Sequence, residues 1–197
     1  MLFIADEVQT GIARTGRLLA TCGNCSCVDK NCSGTPEVKA DVLILGKALS
    51  GGAYPVSAVL ANNSIMNVIK PGNHGSTFGG NPIAAAVAIA ALEVVATEKL
   101  AINAAELGII FRNELTEFSK ENNLVKSVRG KGLLNAILIN DSEDSATAWN
   151  ICMKLRDNGL LAKPTHGNII RFAPPLVMTK EQLMDCISII KKTIAEF

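Results

Sequence analysis

The chain has almost no surplus charge of either sign. Its 197 residues carry 19 Lys and Arg against 18 Asp and Glu, a formal net charge of +1. Nothing in that balance calls for a nucleic-acid partner. No apolar run reaches the ~18 residues of a membrane-spanning helix. No basic stretch followed by an apolar segment marks a secretory leader. Internal repeats and low-complexity tracts are also missing. The expectation from these absences is a soluble, cytoplasmic protein with no membrane and no nucleic-acid partner. A mitochondrial origin stays open, because a chain missing its N-terminus would have lost any presequence too. What the chain does have is apolar residues, 48% of the total. They are enough to build one or two cores.

Lys47 stands in Asp41-Val42-Leu43-Ile44-Leu45-Gly46-Lys47-Ala48-Leu49-Ser50-Gly51-Gly52. Val42 to Leu45 read as a short buried strand, and Lys47 follows at its exit among small residues. Desolvation there would lower the amine's pKa and make it a nucleophile toward a carbonyl. The alternative is a lysine whose stem packs at the strand end while its head reaches water.

Leu2-Phe3-Ile4-Ala5 is a second short apolar strand, followed by Asp6-Glu7-Val8-Gln9-Thr10-Gly11. Open α/β sheets bind ligands beyond the carboxyl ends of their strands. Asp6 and Lys47 occupy that kind of place on two strands. A pyridoxal phosphate enzyme needs such a pair: a lysine to hold the cofactor as a Schiff base, and a carboxylate to keep the pyridine nitrogen protonated. The alternative for Asp6 is a helix N-cap. A third segment, Gly75-Ser76-Thr77-Phe78-Gly79-Gly80-Asn81-Pro82, gathers hydroxyls and glycines before a helix. It offers an anion site at a helix N-terminus, or simply a turn with Asn81 as the cap.

Taken together, these segments resemble the class III aminotransferases. The resemblance rests on Ala5 to Gly11, Arg14-Thr15-Gly16, Leu45 to Gly52 and Gly75 to Pro82. Val128 to Ala136, Asp157 to Gly167 and Ile170 to Leu176 narrow it to the ornithine-acting members. The resemblance implies pyridoxal 5′-phosphate as cofactor and Lys47 as the Schiff-base lysine and proton carrier. It implies Asp6 at the pyridine nitrogen, Val8 on the ring face and Gln9 near the 3-hydroxyl. Ser76 and Thr77 would reach the phosphate in the neighbouring subunit of a homodimer with shared active sites. Arg171 would lie near the substrate entrance and influence which carboxylate or amine is accepted. Its alternative role is a structural ion pair. The implied reaction moves the δ-amine of L-ornithine to 2-oxoglutarate, giving glutamate 5-semialdehyde and glutamate. It runs through two half-reactions with a pyridoxamine form between them, so the kinetics would be ping-pong.

The implied fold is the C-terminal part of the α/β large domain of the aspartate aminotransferase-like, fold type I architecture, followed by a small α+β domain. The boundary is expected near residue 100, giving domains 1–100 and 101–197. Strands are predicted at 2–5, 41–45, 56–60, 125–129, 133–139 and 169–172. Helices are predicted at 64–69, 82–97, 98–121, 146–157 and 180–197. The helix at 82–97 is apolar nearly all round and is expected to lie in the interior. Cys152 and Cys186 fall in helical patterns and read as core residues.

The sequence departs from the family in two places. It is about half the expected length, and three family features are not recognisable in it: the glycine-rich phosphate loop, the aromatic that stacks on the ring and the arginine for the α-carboxylate. It also carries Cys22, Cys25, Cys27 and Cys32 in one short stretch. These thiols suffice for zinc or an iron–sulfur cluster, but the spacing matches no common ribbon or ferredoxin. The alternatives are a redox pair or a variable loop without metal. Competing functions are a class III enzyme for acetylornithine, 4-aminobutyrate or another ω-amine, or an inactive fragment or thiol- or metal-responsive module. Because half of the expected site is not recognisable, the 197-residue chain should bind pyridoxal phosphate poorly and show no transaminase turnover. Absorption spectra with added cofactor, together with an ornithine assay, check this.

Overall fold

The computed structural model describes residues 1–22 and 39–197. Cys25, Cys27 and Cys32 lie outside the described residues. Among the described residues no group of three or more His, Cys, Asp or Glu is placed to hold a metal. None of the described helices is long and apolar enough to cross a membrane. The chain divides into two compact units, Met1–Ile102 and Asn103–Phe197.

The first unit is built on three short strands. β1 (Ile4–Asp6) pairs in parallel with β2 (Val42–Leu45), with Ile4 opposite Val42 and Asp6 opposite Ile44. β3 (Ala58–Ala61) returns antiparallel on the other side of β2, with Ala58 opposite Leu45. The short helix α1 (Asn63–Met66) and the long helix α2 (Pro82–Thr97) follow. Asn81 caps α2 by accepting from the Ala84 amide at 2.9 Å, and Pro82 starts it without needing a donor.

Burial in this unit differs from the sequence expectation. β1 is an edge strand, and Ile4 is 55% exposed. β2 is half-buried along its whole length. Helix α2 was expected in the interior, yet Ala84 alone among its residues is buried; Ile83, Ile89, Leu92 and Val94 are exposed. The helix touches the turn after β2, where the Ala91 methyl lies 3.4 Å from the position a Cβ on Gly51 would take. An apolar composition states what a helix is able to bury. Burial itself requires a facing surface, and among the described residues most of α2 has none.

The second unit closes its core. α3 (Leu100–Glu121) leads into β4 (Val125–Lys131), β5 (Leu134–Ile139), α4 (Thr147–Asp157), β6 (Lys163–Thr165), β7 (Ile169–Phe172) and α5 (Lys180–Ile194). The strands form one antiparallel sheet in the order β4-β5-β7-β6. Alternation along β5 and β7 turns Ile137, Ile139, Ile170 and Phe172 inward. Phe111, Leu115, Ile151, Leu155, Leu183, Ile187 and Ile190 from the helices meet them. Phe111 and Phe172 pack with ring centres 5.5 Å apart and tilted by 50°. Cys152 is part of this core, and burial pushes its thiol up to about 11. Cys186 is half-buried rather than a core residue.

Local chemistry places several boundaries. Thr179 and Gln182 form a reciprocal capping box at the start of α5. Gly159, with φ 86°, takes the left-handed position just past α4. Strand β6 was not foreseen, because Pro164 argues against a strand. It is tolerated because β6 lies at the sheet edge, where a missing donor leaves no ladder bond unmade.

Gly108 lies within α3, where alanine ordinarily stabilises a helix by about 1 kcal/mol. Here a Cβ would fall 1.9 Å from the Gly132 carbonyl oxygen. Gly108→Ala should therefore destabilise the protein by about 1–3 kcal/mol, against its helix propensity. The neighbouring exposed Ile109→Ala should change stability by less than about 0.5 kcal/mol. Urea unfolding of both variants measures the contrast.

Candidate active site

The parallel pairing of β1 and β2 places two reactive groups at one end of one sheet. Asp6 is the last residue of β1, and Lys47 comes two residues after β2 ends. The Glu7 amide donates to the Ile44 carbonyl at 2.9 Å, which extends the pairing past Asp6. Asp6 is exposed, and its Oδ1 accepts from the Val8 amide at 3.1 Å. No helix follows it, so it is a turn-forming acid and not a helix cap.

Val8 folds back over the exit of β2. Its Cγ1 lies 3.3 Å from where a Cβ on Gly46 would be, and Ser57 Cβ lies at 3.7 Å. A side chain at position 46 would press on Val8, so glycine is what lets the two strand exits approach. Gln9 is exposed.

Lys47 opens a short 3-10 turn, Lys47–Ser50, with φ 44°. The left-handed region costs an L-residue about 1–2 kcal/mol, so the surroundings hold this lysine against its backbone preference. Such outliers gather at sites where geometry serves chemistry. The desolvation expected around its amine is not built here: Lys47 is exposed. It borders an open cavity of about 650 Å³ whose other walls include Ser50, Tyr54, Pro55, Val56 and Ser57. Asp6 is not one of these walls. Tyr54 and Ser57 had no signal in the sequence, since a loop reveals its inward side only when folded.

The hydroxyl loop is fully exposed from Pro71 to Gly80. Ser76 Oγ accepts from the Gly79 amide at 3.0 Å, and the Asn81 side chain donates to the Phe78 carbonyl at 2.7 Å. Ser76 thus shapes the turn, while the Thr77 hydroxyl makes no hydrogen bond among the described residues. Arg171 stands in the other unit, on β7, half-buried. Among the described residues it makes no ion pair, so its structural alternative has no partner there.

Residues 1–194 match the family model for aminotransferase class-III. The chain belongs to the class III aminotransferases. It is 59% identical over 194 residues to the mitochondrial ornithine aminotransferase of Drosophila melanogaster, covering 98% of this chain and 41% of that protein. Its fold is similar to acetylornithine aminotransferase from Elizabethkingia anophelis, with a TM-score of 0.90 and 65% identity over 100% of this chain and 46% of that one. It is also similar to Plasmodium falciparum ornithine delta-aminotransferase, with a TM-score of 0.87 and 50% identity over 100% and 47% of the two chains. The chain spans less than half the length of these relatives. The architecture is part of the fold type I α/β arrangement with a smaller α+β unit, as the sequence led one to expect.

This class III chain uses one further acid that sequence reading passed over. Glu7 is 2% exposed, and its carboxylate accepts from Thr10 Oγ1 at 2.6 Å and the Thr21 amide at 2.7 Å. The segment it ties down includes Ile12 and Ala13, both buried with positive φ, 57° and 72°. A β-branched residue in that region is an outlier that only tertiary contacts sustain. The signal was present in a threonine three residues after the acid. Burial alone would raise the Glu7 pKa, but hydrogen bonds from Thr10, Thr21 and Ala20 outweigh it and hold the carboxyl below its ordinary value.

A depressed pKa means stability that is present above the unfolded value of about 4.3 and is lost as pH falls through the lower folded value. Glu7→Gln should lose about 1–3 kcal/mol at pH 7. It should also flatten the fall in melting temperature below about pH 4.3. Thermal unfolding followed from pH 7 to 3 for both proteins gives the comparison.

Proposed function

We propose that this chain contributes the cofactor lysine and the ring-nitrogen carboxylate of a pyridoxal phosphate aminotransferase acting on L-ornithine and 2-oxoglutarate. One observation carries the proposal. Lys47 is held in a left-handed conformation at the carboxyl end of β2, beside Asp6 at the same end of parallel β1. The first unit would be the cofactor-binding portion of the large domain, and the second the small C-terminal domain.

The residues present fit the cofactor in kind. Lys47 supplies a primary amine on an open cavity, Asp6 an exposed carboxylate, and Val8 an apolar surface fixed against Gly46. Pyridoxal phosphate, when bound, supplies a protonated ring that draws electrons from the carbon bearing the amine. Asp6 would keep that ring nitrogen protonated, Val8 would hold one ring face and Gln9 would serve the 3-hydroxyl. Lys47 Nζ would tether the cofactor and carry the proton leaving the donor carbon. Ser76 and Thr77 would meet the phosphate of a neighbouring subunit, consistent with their full exposure in this chain. Arg171 would influence which carboxylate or amine is accepted.

Ornithine as donor is supported by the name and 59% identity of the Drosophila relative. That relative's mitochondrial name also favours a mitochondrial over a cytoplasmic placement. A second reading, with acetylornithine as donor, is favoured by the name and 65% identity of the Elizabethkingia structure.

The test of the site is covalent trapping. Protein complete over the length of its relatives is incubated with pyridoxal phosphate, reduced with borohydride and mapped by mass spectrometry. The reduced pyridoxyl group should concentrate on Lys47 and be lost from that position in Lys47→Ala. Labelling spread evenly over the exposed lysines would count against the assignment. Ornithine and acetylornithine, offered in turn to protein complete over the length of its relatives, separate the two donor readings.

A further inference from the structure

Asp6 stands at the exposed end of an edge strand. β1 is three residues long and pairs with β2 on one side. The Asp6 carboxylate accepts from the Val8 amide, two residues on in the same turn. A group that must meet one ring atom needs firmer support than a turn of its own. In this segment the firm support belongs to the next residue, Glu7.

Burial alternates along the exit of β1. Ala5 and Glu7 are buried, and Asp6 between them is exposed. Successive side chains of an extended chain point to opposite faces. Fixing the Glu7 side chain on the inner face therefore fixes the direction of Asp6 on the outer one. The Glu7 amide is anchored too, by its bond to the Ile44 carbonyl. Main chain and side chain of Glu7 are thus both held, directly beside Asp6.

The anchoring exceeds what filling the space requires. A carboxylate is costly to bury unless hydrogen bonds replace its water, and an apolar side chain would fill the same space without that cost. Glu7 takes its donors from the turn that follows, at Thr10, and from Thr21. The turn also closes back on the Glu7 main chain, with the Gly11 amide donating to the Glu7 carbonyl at 2.9 Å. A Cβ on Gly11 would fall 2.8 Å from that oxygen, so a side chain there would force the turn open. Thr15 Oγ1 donates to the Thr10 carbonyl at 3.2 Å, and the Ile12 amide to the Leu18 carbonyl at 2.6 Å. The segment from Glu7 to Thr21 is one knot with the Glu7 carboxylate at its centre. Enclosed in this way, Glu7 acts on the reaction through Asp6 or not at all.

We infer that Glu7 is a positioning residue for Asp6: the knot it ties holds the Asp6 carboxylate where it keeps the ring nitrogen protonated. The inference rests on the proposed function, in which Asp6 serves that nitrogen. Without the Glu7 carboxylate, the Thr10 and Thr21 donors lose their acceptor and the turn relaxes. Asp6 then swings toward water. A carboxylate that strays holds the ring proton less well, because the attraction falls with distance.

The test uses protein complete over the length of its relatives, loaded with pyridoxal phosphate that carries a heavy-nitrogen label in its ring. Nitrogen NMR reads whether that atom bears a proton, independently of turnover. Glu7→Gln keeps the side chain's size but turns one acceptor oxygen into a donor that faces a donor. Its ring nitrogen should hold the proton about tenfold less strongly than in the parent protein, and the cofactor should dissociate about threefold to tenfold faster. Thr10→Val removes one donor and should shift the ring nitrogen the same way by less; it also answers the question if Glu7→Gln does not fold. Gly108→Ala is the comparison for lost stability alone. It weakens the other unit and should leave the ring nitrogen unchanged. Asp6→Asn should remove the ring proton outright. A ring nitrogen as protonated in Glu7→Gln and Thr10→Val as in the parent would overturn the inference, as would an equal shift in Gly108→Ala. If Asp6→Asn alone loses the proton, the proposed role of Asp6 stands and that of Glu7 falls. If Asp6→Asn keeps it, both fall.

Discussion

Three residue pairs of parallel β-structure decide what the first unit is able to do. With Ile4 opposite Val42 and Asp6 opposite Ile44, both chains leave the sheet at the same end. Had β1 run antiparallel to β2, Asp6 and Lys47 would stand at opposite ends of the sheet and share no chemistry. The Glu7 amide bond to Ile44 and the seat of Val8 on Gly46 continue the pairing into the loops. The left-handed Lys47 turn is then held from both sides, by the strand before it and by the helix that touches Gly51. Backbone strain at the lysine is sustained by contacts made elsewhere in the unit.

The two units meet their apolar content differently. In the second, alternation along β5 and β7 and one stripe from each of three helices converge, so large side chains such as Ile137, Leu155 and Ile187 are almost wholly excluded from water. In the first, Leu2, Phe3, Ile4 and much of α2 remain exposed. Exposed apolar area of that kind ordinarily marks a surface that binds something. The family's longer members have more chain with which to provide cover, and this one spans less than half their length.

The outer face of the second sheet shows how charge is distributed by register. Lys163, Arg171 and Arg129 are far apart in sequence and sit in three segments with no common motif. Each is unremarkable alone, and exposed cations are the commonest surface residues. Pairing brings them into one row with Ala136 as a gap, while the four ion pairs of the same unit among the described residues lie on or beside helices. The electrostatic character of the face belongs to the ladder and to no one segment.

Much of the chemistry was legible in the residues themselves. A strand-exit lysine among glycines, an acid at the end of another apolar run and a hydroxyl loop before Pro82 each state their type of chemistry locally, and their order along the chain is shared with the family. The Asn81 cap was legible for the same reason: it acts on an amide three residues away. Strand β6 was hidden because Pro164 looks prohibitive until the strand is seen to be an edge. The exposure of α2 and of Lys47 was hidden because burial depends on what stands opposite. Glu7 was hidden because the Thr21 amide that binds its carboxylate stands fourteen residues away in the chain. The sequence by itself thus determined which groups are present and what reaction class they suit, because side-chain chemistry is local. Tertiary structure alone decided which of them share a sheet end, a cavity or a row, because strand pairing joins residues that the chain keeps apart.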